Sequence, residues 1–270
     1  MIRGMVRMNR NRIWATGLTV TLAATLTAGS AGWAQAPAAT VIDFTKYVGT
    51  VETRLASERQ SDTQFLGGVD RDRLRKGEVV IEKLVPAQDA DPPGGMLHDW
   101  RGTAFAPGAK AADFERLMRD FPAYPTVYAP QVVRAAVASY DGDHYAVTMR
   151  VKQKHMITVV MDTAYDVEFG KLDGRGWSTS RSTSIKEIEN AETEKERALG
   201  PGEDHGFLWR LNTYWTYEER DGGVLLELEA IALTREEIAR RVRDLLEGRV
   251  KPIPADEVFE LARQRARRRD

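Results

Sequence analysis

The chain has 270 residues, 42% of them hydrophobic and 29% charged, which suffices for one sizeable core. With 39 Lys and Arg against 40 Asp and Glu, the formal net charge is −1, so there is no global basic field for binding nucleic acid. The chain has no cysteine, which excludes disulfides, thiolate metal sites, iron–sulfur clusters, Cys nucleophiles and a lipoprotein anchor, and its four histidines leave little for a metal site.

The chain opens with Arg3, Arg7, Arg10 and Arg12, and no acidic residue appears before Asp43. An apolar, Thr-containing run from Ile13 to Gly29 follows, then small residues ending in Ala34-Gln35-Ala36. Basic, apolar and small segments in that order predict a secretory signal over 1–36, cleaved near Ala34 to Ala38. The run is short for a membrane span. A periplasmic or secreted location is expected.

Past a short linker, Phe44, Tyr47, Val48, Val51 and Leu55 recur at helical spacing and predict an amphipathic helix over 42–58. The β-branched stretch from Gly77 to Val85 reads as a strand. Ala87 to Gly95, rich in Pro, Gly and Asp, marks a boundary between an N-terminal extension (37–95) and the main domain (96–250). Met96 to Phe105 reads as a strand, and Ala111 to Asp120 as a short helix with Phe114, Leu117 and Met118 on one side. Phe121-Pro122 stops that helix before an aromatic corner at Ala123 to Pro130.

A run of strands follows. Val132 to Tyr140 and His144 to Val151 flank Asp141-Gly142-Asp143, a hairpin signal. Met156 to Phe169 and Trp177 to Ile188 read as two more strands, and the charged stretch from Ala191 to Gly206 as an exposed loop. Phe207 to Glu218 and Gly223 to Leu233 flank a second hairpin turn at Arg220 to Gly223. Ile238, Val242, Leu245 and Leu246 stripe a helix from Glu236 to Leu246, which Pro252 and Pro254 interrupt. An Arg-rich tail (251–270) closes the chain. The pattern predicts an α+β fold in which a curved antiparallel sheet of about six to seven strands wraps around a C-terminal helix.

Ala111 to Tyr128 and Gly206 to Arg235 carry a resemblance to the START-like group, also called the SRPBCC, polyketide cyclase or Bet v 1-like helix-grip proteins. The first segment looks like that group's opening helix and aromatic-Pro corner, the second like its last hairpin. The resemblance spans about Met96 to Leu246 and implies a cavity between sheet and C-terminal helix for a hydrophobic small molecule or lipid. It implies no cofactor.

The last hairpin can be read in detail. With Asp221-Gly222 as its turn, Tyr217 faces Leu226, Trp215 faces Leu228, and Thr213 faces Ala230. Trp209 and Leu211 are expected on that same apolar face. The opposite face carries Arg210, Asn212, Tyr214, Thr216, Glu218, Glu227 and Glu229. Tyr145, Val147, Met149 and Val151 share one parity in the earlier hairpin. Phe121, Tyr124, Tyr128, Tyr145, Met149, Trp177, Trp209, Leu211, Trp215, Tyr217, Leu226 and Leu228 are therefore the expected ligand-binding residues, lining an apolar pocket.

No nucleophile elbow, zincin, Walker or dinucleotide motif is present, and no catalytic or metal-binding residue is assigned. His98 and Asp99 are adjacent on a strand, so only one of them can face the pocket. Lys154-His155 reads as a solvated turn, and Asp162, Asp166 and Arg181 as strand surface charge. The expected function is an exported, non-enzymatic binder or carrier of a lipid-like molecule. The alternatives are a cyclase/aromatase-type enzyme in the same cavity, or a scaffold that docks a partner through the 42–58 helix or the basic tail. That tail also leaves transient contact with an acidic membrane surface open.

Overall fold

The computed structural model describes residues 36–61, 65–66, 70–84, 91–154, 158–172, 175–200 and 203–236. The stretches expected as a signal (1–36), a C-terminal helix (236–246) and an Arg-rich tail (251–270) fall outside these residues apart from Ala36 and Glu236, as does His155. The elements in chain order are α1 (Ala38–Gln60), α2 (Arg71–Arg75), β1 (Val80–Lys83), β2 (Gly95–Pro107) and α3 (Ala111–Arg119). A 3₁₀ turn at Phe121–Ala123 leads into α4 (Tyr124–Val127). Then come β3 (Val132–Asp141), β4 (His144–Lys154), β5 (Thr158–Leu172), β6 (Arg175–Glu189), β7 (Arg197–Ala198), β8 (Arg210–Arg220) and β9 (Gly223–Arg235).

All nine strands form one curved antiparallel sheet in the order β1-β2-β9-β8-β6-β5-β4-β3, with β7 paired to β6. The α+β class is as expected, and the strand number is higher. One addition is the two-residue β7, inside the stretch read as a loop. The other is β1, which belongs to the N-terminal extension yet pairs with β2 from Val80↔Thr103 to Lys83↔Trp100. Pairing of β2 with β9 along its whole length, from Gly95↔Arg235 to Pro107↔Gly223, joins the two ends of the meander.

Both hairpins form where the turn chemistry placed them. Asp221 and Gly222 both take positive φ, 55° and 76°, which suits a tight turn between right-twisted strands. The register that follows is Tyr217↔Leu226, Trp215↔Leu228 and Thr213↔Ala230, as the alternation predicts.

The two faces of the sheet are covered differently. α1 buries Phe44, Val48, Val51 and Leu55 against Leu97, Trp209, Tyr214, Ile231 and Leu233. Burial of this size is worth roughly 1.5–3 kcal/mol per large side chain. α2, capped by the Asp70 carboxylate on the N–H groups of Asp72 and Arg73, continues the layer with Leu74 against Phe105 and Leu225. α3 and α4 cover one end of the other face through Phe114, Met118, Phe121 and Tyr124. The N-cap of α3, Lys110, makes no side-chain cap bond. Glu219 at the end of β8 substitutes for it: its carboxylate accepts from the Ala111 N–H at 3.0 Å and from Lys110 Nζ at 2.8 Å.

Candidate functional site

The apolar face is ordered in rows, because directly paired residues of antiparallel strands point the same way. One row runs Phe169, Ser178, Trp215, Leu228, Gly102 across β5, β6, β8, β9 and β2. The next runs Val167, Ser180, Thr213, Ala230, Trp100. Beyond it Leu211, Ala232 and His98 form a third.

Two apolar clusters occupy the ends of this face. The first joins Phe121, Tyr124 and Tyr217 with the partly buried Tyr128, Tyr145, Met149, Trp215 and Leu226. Its rings meet at angles: Phe114 to Trp215 and Tyr217 at 5.4 and 5.1 Å, Phe121 to Tyr145 at 5.6 Å, Tyr124 to Tyr128 at 4.9 Å. The Tyr124 hydroxyl donates to the Met118 carbonyl at 2.6 Å and fixes the corner. The second cluster joins Val159, Met161, Phe207, Leu208, Leu211 and Ala232. Trp215 and Leu211, one from each, lie about 13 Å apart along β8. Between them lie the small Ser180, Thr213 and Ala230, with Val167 and Trp100 at the two ends of their row.

Ten of the twelve expected binding residues thus lie on this face by cluster or by pairing; Leu228 is placed there opposite Trp215. Trp177 and Trp209 do not. Trp177 pairs with Thr216, on the side covered by α1, where the Arg59 guanidinium stacks 4.1 Å from its ring centre. Trp209 precedes the first residue of β8, where strict alternation has not begun, and packs with Phe44, Leu97 and Leu233. Its indole N–H donates to Asp204 at 2.9 Å.

His98 and Asp99 separate as adjacent strand residues must. His98 stands in the apolar-face row, with Nε2 3.0 Å from the Thr234 hydroxyl. Burial, more than the nearby Lys83 charge, lowers its pKa to about 4, so the ring is neutral. Asp99 lies under α1.

The α1 side holds the charged residues that periodicity alone did not position. Glu229, 1% exposed, accepts two bonds from the Arg54 guanidinium. The Tyr47 hydroxyl donates to Asp99 at 2.6 Å. Glu52 accepts from Arg181 Nε at 2.7 Å and from the Tyr214 hydroxyl at 3.0 Å. Glu227 is 4% exposed, and its Oε2 has no hydrogen-bond partner. Burial first, then the neighbouring Glu229 charge, pushes Asp99 up to about 7. Burial likewise pushes Glu227 up to about 7, against the opposing pull of Arg101. A usable signal was present in the sequence: Tyr47, Glu52 and Arg54 flank the apolar stripe of α1, and Glu227 and Glu229 alternate with Leu226 and Leu228.

Asp162 and Arg181 do not share a cluster. Asp162 pairs with Arg150 at 2.7 Å and with Arg134 at 3.2 Å. Among the described residues no group of His, Asp and Glu could hold a metal ion, and no helix is long and apolar enough to cross a membrane.

Rows and clusters together define an α+β protein built on one large antiparallel sheet with one apolar and one charged, helix-covered face. No family model matches the chain, and no curated protein does. Solved structures do resemble it. A STAR-related lipid transfer protein from Xanthomonas axonopodis is similar at 15% identity, over 62% of this chain and 90% of that one, with a TM-score of 0.39. An aromatase/cyclase, Zhui, from a Streptomyces species is similar at 15% identity over 56% and 83%, TM-score 0.38. Human STARD10 is similar at 6% identity over 67% and 82%, TM-score 0.38. Likeness at this level assigns neither ligand nor activity.

Proposed function

We propose that the protein is an exported binder or carrier of a hydrophobic, lipid-like molecule, held against the apolar face of the sheet. The observation that carries this reading is the row of Ser180, Thr213 and Ala230 between two clusters of large apolar side chains. A solid core interdigitates large with small side chains, whereas here three strands in succession place small ones at one level. A ligand in that gap would gain about 25 cal/mol for each Å² of apolar surface it removes from water. The charged side chains that would favour an enzyme, notably Glu229, lie on the other face with the polar Asn212. The N-terminal segment would direct export.

Purification of the mature protein from its native compartment, solvent extraction and mass spectrometry test this. One apolar compound near one per chain is the expected result. An empty extract, with no thermal shift from a lipid panel, would overturn the reading.

A further inference from the structure

The chemistry of the same face narrows the ligand, and this step rests on the reading above. Ser180 and Thr213 are half-buried neighbours on β6 and β8, and their hydroxyls have no hydrogen-bond partner among the described residues. Ser182, on the same parity of β6, accepts from the Leu211 N–H at 2.9 Å and keeps its own hydroxyl proton to donate. This makes a small hydroxyl patch at the centre of an apolar surface.

Of the charged groups on this face, Lys83 is exposed on the edge strand β1, opposite Trp100 and three strands from Thr213, and those at the two ends are already engaged. Glu187 accepts from the backbone N–H groups of His205 and Phe207 at 2.9 and 3.0 Å and lies 2.6 Å from His205 Nδ1. Glu219 is held by Lys110 and the start of α3. Lys171 pairs with Glu115 at 2.8 Å. Arg119 pairs with Glu115 and Asp143 while stacking 4.2 Å from the Phe169 ring centre. An ionised headgroup at the centre would leave water without gaining a counter-ion, and burying an unpaired charge is strongly unfavourable.

We infer that the ligand is an uncharged amphiphile with one hydroxyl or carbonyl, oriented by Ser180, Thr213 and Ser182, and that the site discriminates against charged lipids of the same chain length. A neutral fluorescent reporter, N-phenyl-1-naphthylamine, would be bound to the full mature chain. It would then be displaced at pH 8 by oleyl alcohol, oleate or oleylamine. Oleyl alcohol should displace it at concentrations about tenfold or more below those of the two ions. Thr213→Val combined with Ser180→Ala should weaken oleyl alcohol about tenfold more than it changes the affinity of the reporter, which has no hydroxyl or carbonyl. Equal displacement by oleate, with the reporter bound, would overturn the inference and leave the binding function standing. So would loss of reporter and alcohol affinity in equal measure in the double variant. Failure of the reporter to bind at all would overturn both.

Discussion

Arg54 of α1 and Glu229 of β9 meet in a two-pronged ion pair, with both carboxylate oxygens within 2.5 and 2.7 Å of one guanidinium nitrogen. The residues are 175 positions apart, and the pair fastens the N-terminal helix to the sheet. The two partners are unequal. Arg54 is 35% exposed at its side chain and also holds Glu58 at 3.0 Å, whereas Glu229 is 1% exposed. Arg54→Met would strand a buried carboxylate and should cost roughly 2–4 kcal/mol. Glu229→Gln leaves Arg54 with Glu58 and water, and should cost less. Urea unfolding of both variants checks the order.

Stability should depend on pH through Asp99 and Glu227. Both have folded pKa values of about 7, raised from 3.8 and 4.5 by burial. The native state therefore binds these protons more tightly than the unfolded chain. Their contribution is full below about pH 4 and is lost as pH rises through 7. His98 acts oppositely: its pKa is lowered to about 4, so it costs stability in acid and is silent above about 6.5. Two falling contributions outweigh one rising one, so stability should drop by a few kcal/mol between pH 5 and 8. Unfolding midpoints across that range should slope down in the parent, whereas Asp99→Asn combined with Glu227→Gln should lose that fall and keep only the His98 rise up to about pH 6.5.

Glu187 should hold the loop that leads into β8. Its side chain takes up the N–H groups of His205 and Phe207 and the His205 ring, and its carbonyl accepts from the Leu199 N–H at 2.8 Å. Glu187→Ala leaves those N–H groups unsatisfied, at about 1–3 kcal/mol. Limited proteolysis should then cut near Arg197 faster than in the parent, before global unfolding.

Two glycines separate the faces. A Cβ on Gly176 would lie 2.1 Å from the Tyr217 ring, and one on Gly170 2.2 Å from the Trp177 ring. An aromatic ring occupies the space above each glycine. Gly176→Ala and Gly170→Ala should each cost about 1–3 kcal/mol by overpacking. Only Gly176→Ala disturbs the apolar face, so it alone should also change the affinity for an apolar reporter. Equal changes in both would show that the two faces are not independent.

The sheet was readable where local chemistry decides. Asp221-Gly222 sets a two-residue turn, and alternation along Thr213, Trp215 and Tyr217 fixes what faces Ala230, Leu228 and Leu226. What escaped is set by long-range packing. The alternating polar residues Tyr214, Thr216, Glu227 and Glu229 read like a solvated face, yet a helix from the far end of the chain returns to cover them. Aromatic character groups Trp177 with the apolar face and alternation groups Trp209 there, although the pairing of β6 and the onset of β8 direct them elsewhere. Neither the pairing of β1 with β2 nor that of β2 with β9 leaves a turn signal, because no tight hairpin connects them.

The central claim is that the gap between the two apolar clusters holds a ligand, and filling that gap tests it most directly. Thr213→Trp places an indole among Ser180, Ala230 and Trp215 on the half-buried centre of the face. The mature parent and the variant would be purified alike, and native mass spectrometry would count bound apolar molecules per chain. The account predicts about one per chain in the parent and none in a variant that still unfolds cooperatively. Full occupancy in the folded variant would contradict it.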